Sequence, residues 1–136
     1  MTTTETKIDI KEILLHFLVC ALWSTFDSDV DSRKEFLDES YSVSDFNIKS
    51  KKKLKSICSE FVKDNKEAIL ESELSMEQIG HDLWLTINGH GAGFFDRVMS
   101  PDNVSKEVVN KLINGAKKFK EINLYAEKGK VLVDNV

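Results

Sequence analysis

Between residues 80 and 97 the chain gathers the side chains best able to do chemistry. His81 and Asp82, Asn88 and His90, and Asp96 and Arg97 flank the glycine-rich string Gly89-His-Gly-Ala-Gly93. Two imidazoles and two carboxylates could ligate a divalent metal, or supply a general base and the acid that orients it. A metal-dependent hydrolase or nuclease built on His81, Asp82, His90 and Asp96 is therefore one expectation. Gly89, Gly91 and Gly93 alternate, a spacing suited to positive φ or to close backbone approach. Successive amide N–H groups in such a turn can cradle an anion. Arg97, one of two arginines among 19 basic residues, could clamp a phosphate or fork to a nearby carboxylate. Trp84, Phe94 and Phe95 could stack on a base or fill a core. These residues carry a second expectation, a small-ligand or nucleotide-binding turn. The dinucleotide fingerprint itself is absent, since no GxGxxG joins a strand to a helix.

The elements that must position these groups follow from periodicity. Leu83, Leu85 and Ile87 alternate with Trp84 and Thr86, which predicts a half-buried strand. Asn88–Gly93 then reads as a turn and Phe94–Met99 as the returning strand. On such a strand Asp82 and Asn88 share one face while His81 takes the other. The polar groups then do not converge on one point, and no catalytic residue, metal ligand or cofactor is assigned. Upstream, Asp9 with Glu12 three residues on marks a helix start. A second helix runs from about Ser50 to Leu70, packed through Leu54, Ile57, Cys58, Phe61, Val62 and Ile69. Ser75 and Gln78 outline a short turn stopped by Gly80. Downstream, a third helix spans Val104–Lys120, and Ile122–Ala126 with Lys130–Asp134 forms a hairpin around Lys128-Gly129. The expected fold is α+β, with an antiparallel sheet of about four strands in the C-terminal half and three main helices. One domain is expected over 1–136, helical in 1–75 and bearing the sheet and the glycine-rich string in 76–136.

Composition narrows the partners. Of the 136 residues 41% are apolar and 31% charged, a globular balance, and the net charge of −4 is too mild for mimicry of DNA. A general nucleic-acid binder should read basic, and this chain does not. The block Lys49–Lys55 holds five lysines in seven residues without interleaved aromatics. Nucleic-acid contact there is possible but not favoured over a solvated helix face. Cys20 and Cys58 lie in apolar helical patterns and are expected as buried free thiols of a reducing compartment. Asp27, Asp29 and Asp31, with Asp38, imitate part of a calcium loop, but Ser32 stands where the sharp turn needs glycine. A solvated acidic loop is the simpler reading. The apolar run Ile13–Trp23 is too short to cross a bilayer, no cleavage signal opens the chain, and no membrane partner is expected. The first helix carries two apolar stripes, Ile10, Ile13, Leu14, Phe17, Leu18 and Ala21, and then Leu15, Val19, Leu22 and Phe26. Two stripes exceed what one surface helix needs, so a homo-oligomer through this helix is expected.

The string Gly80-His-Asp-Leu-Trp-Leu-Thr-Ile-Asn-Gly-His-Gly-Ala-Gly-Phe-Phe-Asp-Arg97 resembles the pattern GHDFWLTxNGHGAGFWDR of a family of small bacteriophage proteins. In that family a helix follows and then a YxxxDGKxx-type hairpin. Tyr125, Gly129 and Lys130 correspond to it, with one residue fewer between Tyr and Gly and with Lys128 in place of Asp. Leu83 and Phe95 depart from the pattern, in place of Phe and Trp. The similarity covers roughly residues 76–134 and brings no activity with it. It implies a phage origin, expression in the bacterial host's cytoplasm, and action as an accessory protein that binds a host or defence macromolecule. A non-enzymatic binding role is accordingly the leading expectation. His81, Asp82, Trp84, Asn88, His90, Gly91, Gly93, Phe95, Asp96 and Arg97 are its candidate contact residues.

Overall fold

The computed structural model describes residues 8–25, 36–89 and 93–133. Phe26, Asp27–Asp31, Ser32, His90 and Gly91, each singled out above, lie outside them. Helix α1, Ile10–Ser24, starts where its cap requires, with the Asp9 carboxylate accepting the Glu12 amide at 3.2 Å. Helix α2, Ile48–Ser72, is capped the same way by Asn47 on Ser50 and ends on Glu73 in the left-handed region. Within α2, Asn65 leaves helical geometry (φ −126°, ψ 21°), and its side-chain amide donates to the Phe61 carbonyl at 2.9 Å. The bend is thus filled by a side-chain donor.

The expected strand at Leu83–Ile87 is instead part of a helix, α3, which runs Met76–Ile87 from a Ser75 cap. Gly80 does not stop it. A Cβ at that position would overlap the Ile13 carbonyl, so glycine is what allows α3 to close onto α1 backbone to backbone. Ile79, Asp82, Leu83, Trp84, Leu85 and Ile87 are all buried. Ile79, Leu83 and Ile87 do recur at the spacing of one helical turn, but the burial of Trp84 and Leu85 beside them makes the Leu-Trp-Leu-Thr-Ile run imitate strand alternation. The expected return strand is a 3-10 helix, Phe94–Val98, held in the core by Phe94 stacking on Phe61 at 5.9 Å.

Helix α4 is shorter than expected, Lys106–Ala116, with Ser105 accepting the Val108 amide. The C-terminal hairpin stands where its turn residues put it. Strands β1, Leu124–Glu127, and β2, Lys130–Val133, pair antiparallel with Leu124 opposite Val133. Lys128 and Gly129 both take positive φ, as a tight two-residue turn demands. The Asn47 amide donates to the Val131 carbonyl and the Val133 amide to the buried Ser50 hydroxyl, fastening the hairpin to the start of α2. Among the described residues the sheet therefore has two strands, not about four, and the molecule is largely helical. One apolar cluster runs through α1, α2, α3, α4 and the hairpin. Cys20 and Cys58 are buried free thiols within it, and burial lifts the Cys20 thiol to about 12, with the nearby Asp82 charge adding to the rise.

Candidate functional site

Replacing the strand by a helix changes which polar groups meet. On α3, Gln78 and Asp82 are one turn apart, and the Gln78 amide donates to Asp82 Oδ1 at 2.7 Å. His81 Nδ1 stands 3.8 Å from the same oxygen. From the far side of the glycine-rich string, Arg97 brings Nε to 3.2 Å from Asp82 Oδ2 and Nη1 to 2.8 Å from Asp102 Oδ2. His81, Asp82 and Arg97 therefore do converge, around a carboxylate only 1% exposed. The Arg97 Nε–H is not aligned on the oxygen, so neither Nε nor Asp82 Oδ2 has a hydrogen bond, and buried His81 Nδ1 has none either. The contact between Asp82 and Arg97 is an ion pair without the fork geometry that makes such pairs strongest.

The electrostatics follow from burial. Loss of water pushes the Asp82 carboxyl up to about 6, against the downward pull of the Arg97 guanidinium and of the Gln78 amide. Burial, then the Arg97 charge, lowers His81 below its usual value of 6.5, while Glu77 opposes them. Outside this cluster, Trp23 of α1 stacks on the His81 ring at 5.3 Å.

The remaining candidates are mostly structural. Trp84 is buried edge-on against Phe17 at 5.3 Å and donates its indole N–H to the Ser24 hydroxyl at 2.8 Å. Its faces are not open to a base. Asn88 ends α3 by donating to the Trp84 carbonyl, and its Oδ1 accepts the Ile122 amide at 2.7 Å, which ties the helix to the chain entering β1. With Ser24 and Trp84 it lines a hollow of about 310 Å³. Gly93 adopts φ 109°, and a Cβ there would press on the Thr86 hydroxyl and the Asp82 carbonyl. The Thr86 hydroxyl accepts the Phe94 amide instead. Phe95 is 63% exposed and Asp96 half-buried. Neither joins the cluster directly, although the Asp96 charge contributes to raising Asp82.

Gln78, Thr86, Asp102, Ser24 and Trp23 escaped the sequence reading. Only Gln78 carried a signal, its one-turn spacing from Asp82, and that signal is visible only once residues 76–87 are taken as a helix. Among the described residues no three His, Cys, Asp or Glu side chains group as a metal site would require, and no helix is long and apolar enough to cross a membrane. Compared with known proteins, the chain matches no family model, no curated protein and no solved structure.

Proposed function

We propose that this chain is a bacteriophage accessory protein that works without catalysis, by docking a protein of its bacterial host through α1. The phage origin and the host cytoplasm rest on the resemblance of residues 80–97. The docking face rests on one observation. Leu15, Val19 and Trp23 stand four residues apart on α1 and remain 44%, 39% and 38% exposed, while the opposite stripe fills the core. Leu22, expected on the open stripe, is buried within the chain. An apolar row of this kind marks an interface. Beside it runs a groove of about 300 Å³ floored by Leu14, Leu18 and Val43 and edged by Lys11, Lys51 and Lys55. Apolar floor and basic rim together fit a helical segment that presents apolar and acidic side chains.

Both other expectations drew on side chains that the fold uses internally. The hydrolase reading counted Asp82, which is sealed, beside His81, His90 and Asp96. The nucleotide reading counted Trp84 and Arg97, which are engaged within the chain, beside the Asn88–Gly93 turn and Phe95.

Affinity capture from bacterial lysate, comparing the wild-type protein with Val19→Glu, tests the docking face. A protein retained by the first and lost by an equally folded second supports it. Retention by both overturns it. If light scattering shows a dimer that Val19→Glu dissolves, the stripe serves a second copy of this chain instead. Turnover of any nucleic acid or nucleotide that His81→Ala abolishes would end the non-enzymatic reading.

A further inference from the structure

The molecule has a second unused surface, unlike the first. Helices α2 and α4 pack together, and at the Asn65 bend they leave a hollow of about 640 Å³ lined by Lys63, Lys66, Lys111 and Lys118 with Asn65 and Asn114. A second hollow of about 270 Å³ continues from it through the shared Lys118, past Lys53, Ile57, Phe119 and Lys120. Six lysines thus line one seam, against the three carboxylates Asp64, Glu67 and Glu121. The surplus extends beyond the seam. Helix α2 carries seven lysines and four acids, and residues 104–120 carry five lysines and one acid, a surplus of seven positive charges in a chain of net charge −4.

We propose that this α2–α4 seam binds the phosphate backbone of nucleic acid. The positive charge is open to solvent: Lys111 and Lys118 are more than half exposed, and their pairs with Glu107 and Asp64 are both long, at 3.6 Å. Exposed pairs of this kind are weak and yield readily to a stronger anion. The side-chain chemistry separates nucleic acid from an acidic protein. Lysine without arginine is depleted at protein interfaces, whereas it contacts phosphates as a point charge without reading sequence. Of the seam's apolar lining, Ala68, Ile122 and Val133 are buried and only Ile57 and Phe119 are half-buried. That is a small surface for the core of a protein interface, and a partly open aromatic side chain suits contact with a base. Asn114 adds an exposed amide donor between the cations. The seam shares no residue with the α1 stripe or its groove, so this inference stands apart from the proposed docking face.

Fluorescence anisotropy with a labelled mixed-sequence duplex and the matching single strand tests it on the full chain. Binding should occur at low salt. If about four phosphates are engaged, it should weaken about a hundredfold between about 50 and about 200 mM salt. The triple variant Lys63→Glu, Lys66→Glu, Lys118→Glu, with its helical circular dichroism intact, should lose about tenfold or more. Lys128→Glu on the hairpin turn should bind as the wild type does. No anisotropy change with either strand form at low salt overturns the proposal, and so does binding that the triple variant retains. Displacement by polyglutamate as efficient as by unlabelled duplex also overturns it, and would assign the seam to an acidic protein. Capture of an α1 partner is a separate readout, which the triple variant should leave unchanged.

Discussion

The stretch from α3 to Asp102 and the α2–α4 seam are both rich in charge, and the fold treats them in opposite ways. In the first, Asp82 is sealed at 1% exposure with Arg97 and His81 turned onto it. In the second, Lys118 stays 62% exposed although it lies within ion-pair distance of Asp64. Asp82 and Arg97, which look chemical in the sequence, are turned onto each other inside the fold, and the plain lysines of the seam stay in solvent. Charge type alone does not mark a site. Burial decides which charges can act on another molecule, because a desolvated charge without a partner is costly and a solvated one is nearly free to re-pair.

Substitutions can break this comparison at several points. Arg97→Ala should have the largest effect, since it leaves a buried carboxylate without its cation, at a cost of about 3–5 kcal/mol. Urea unfolding measures it, and a loss below about 1 kcal/mol would mean that Asp82 has access to water. Gly80→Ala should follow at about 3 kcal/mol, because the new methyl meets α1 backbone that cannot turn aside. A melting temperature equal to wild type would show that α1 and α3 can separate. Ser24→Ala should cost about 1 kcal/mol by removing the acceptor of the Trp84 indole N–H at the edge of the core.

The pH dependence sharpens the same contrast. Asp82 holds its proton more tightly when folded, up to about 6, than its ordinary value of 3.8. Its contribution to stability is therefore greatest at low pH and declines as pH rises from 3.8 through about 6. His81 acts oppositely, because its lowered value makes the fold lose stability as pH falls below 6.5. Asp82→Asn removes the first dependence and keeps the second. Melting curves of the two proteins should thus shift in the variant's favour as pH rises through that window. A constant difference across pH would place Asp82 in solvent. The smallest effect is expected at the seam, where Lys118→Ala should change stability by no more than about 0.5 kcal/mol. A larger loss in urea unfolding would show that its pair with Asp64 is structural.

Much of the outline is legible in the sequence alone. The Asp9 cap, the α2 core face of Leu54, Cys58, Phe61, Val62 and Ile69, and the Lys128-Gly129 hairpin are local signals, and each stands where local chemistry placed it. The misreading fell on residues 80–99. There the alternation of Leu83, Leu85 and Ile87 imitated a strand, and Gly80 looked like a helix stop. Both signals were local, and a tertiary contact overrode them. The 37–46 segment packs on α1, yet it leaves Leu15, Val19 and Trp23 open.

The sequence by itself therefore determined the helix starts, the closing turn, the buried thiols and the lysine surplus, because caps, positive-φ turns and charge counts depend on neighbours within a few residues. Only the tertiary structure decided that α3 is a helix pressed against α1 at Gly80. It likewise decided that Asp82 meets Arg97 across the glycine-rich string, and that six lysines from two distant segments line one seam. Those outcomes depend on which backbones can approach and which charges lose their water, and both are set by the packing of elements far apart along the chain.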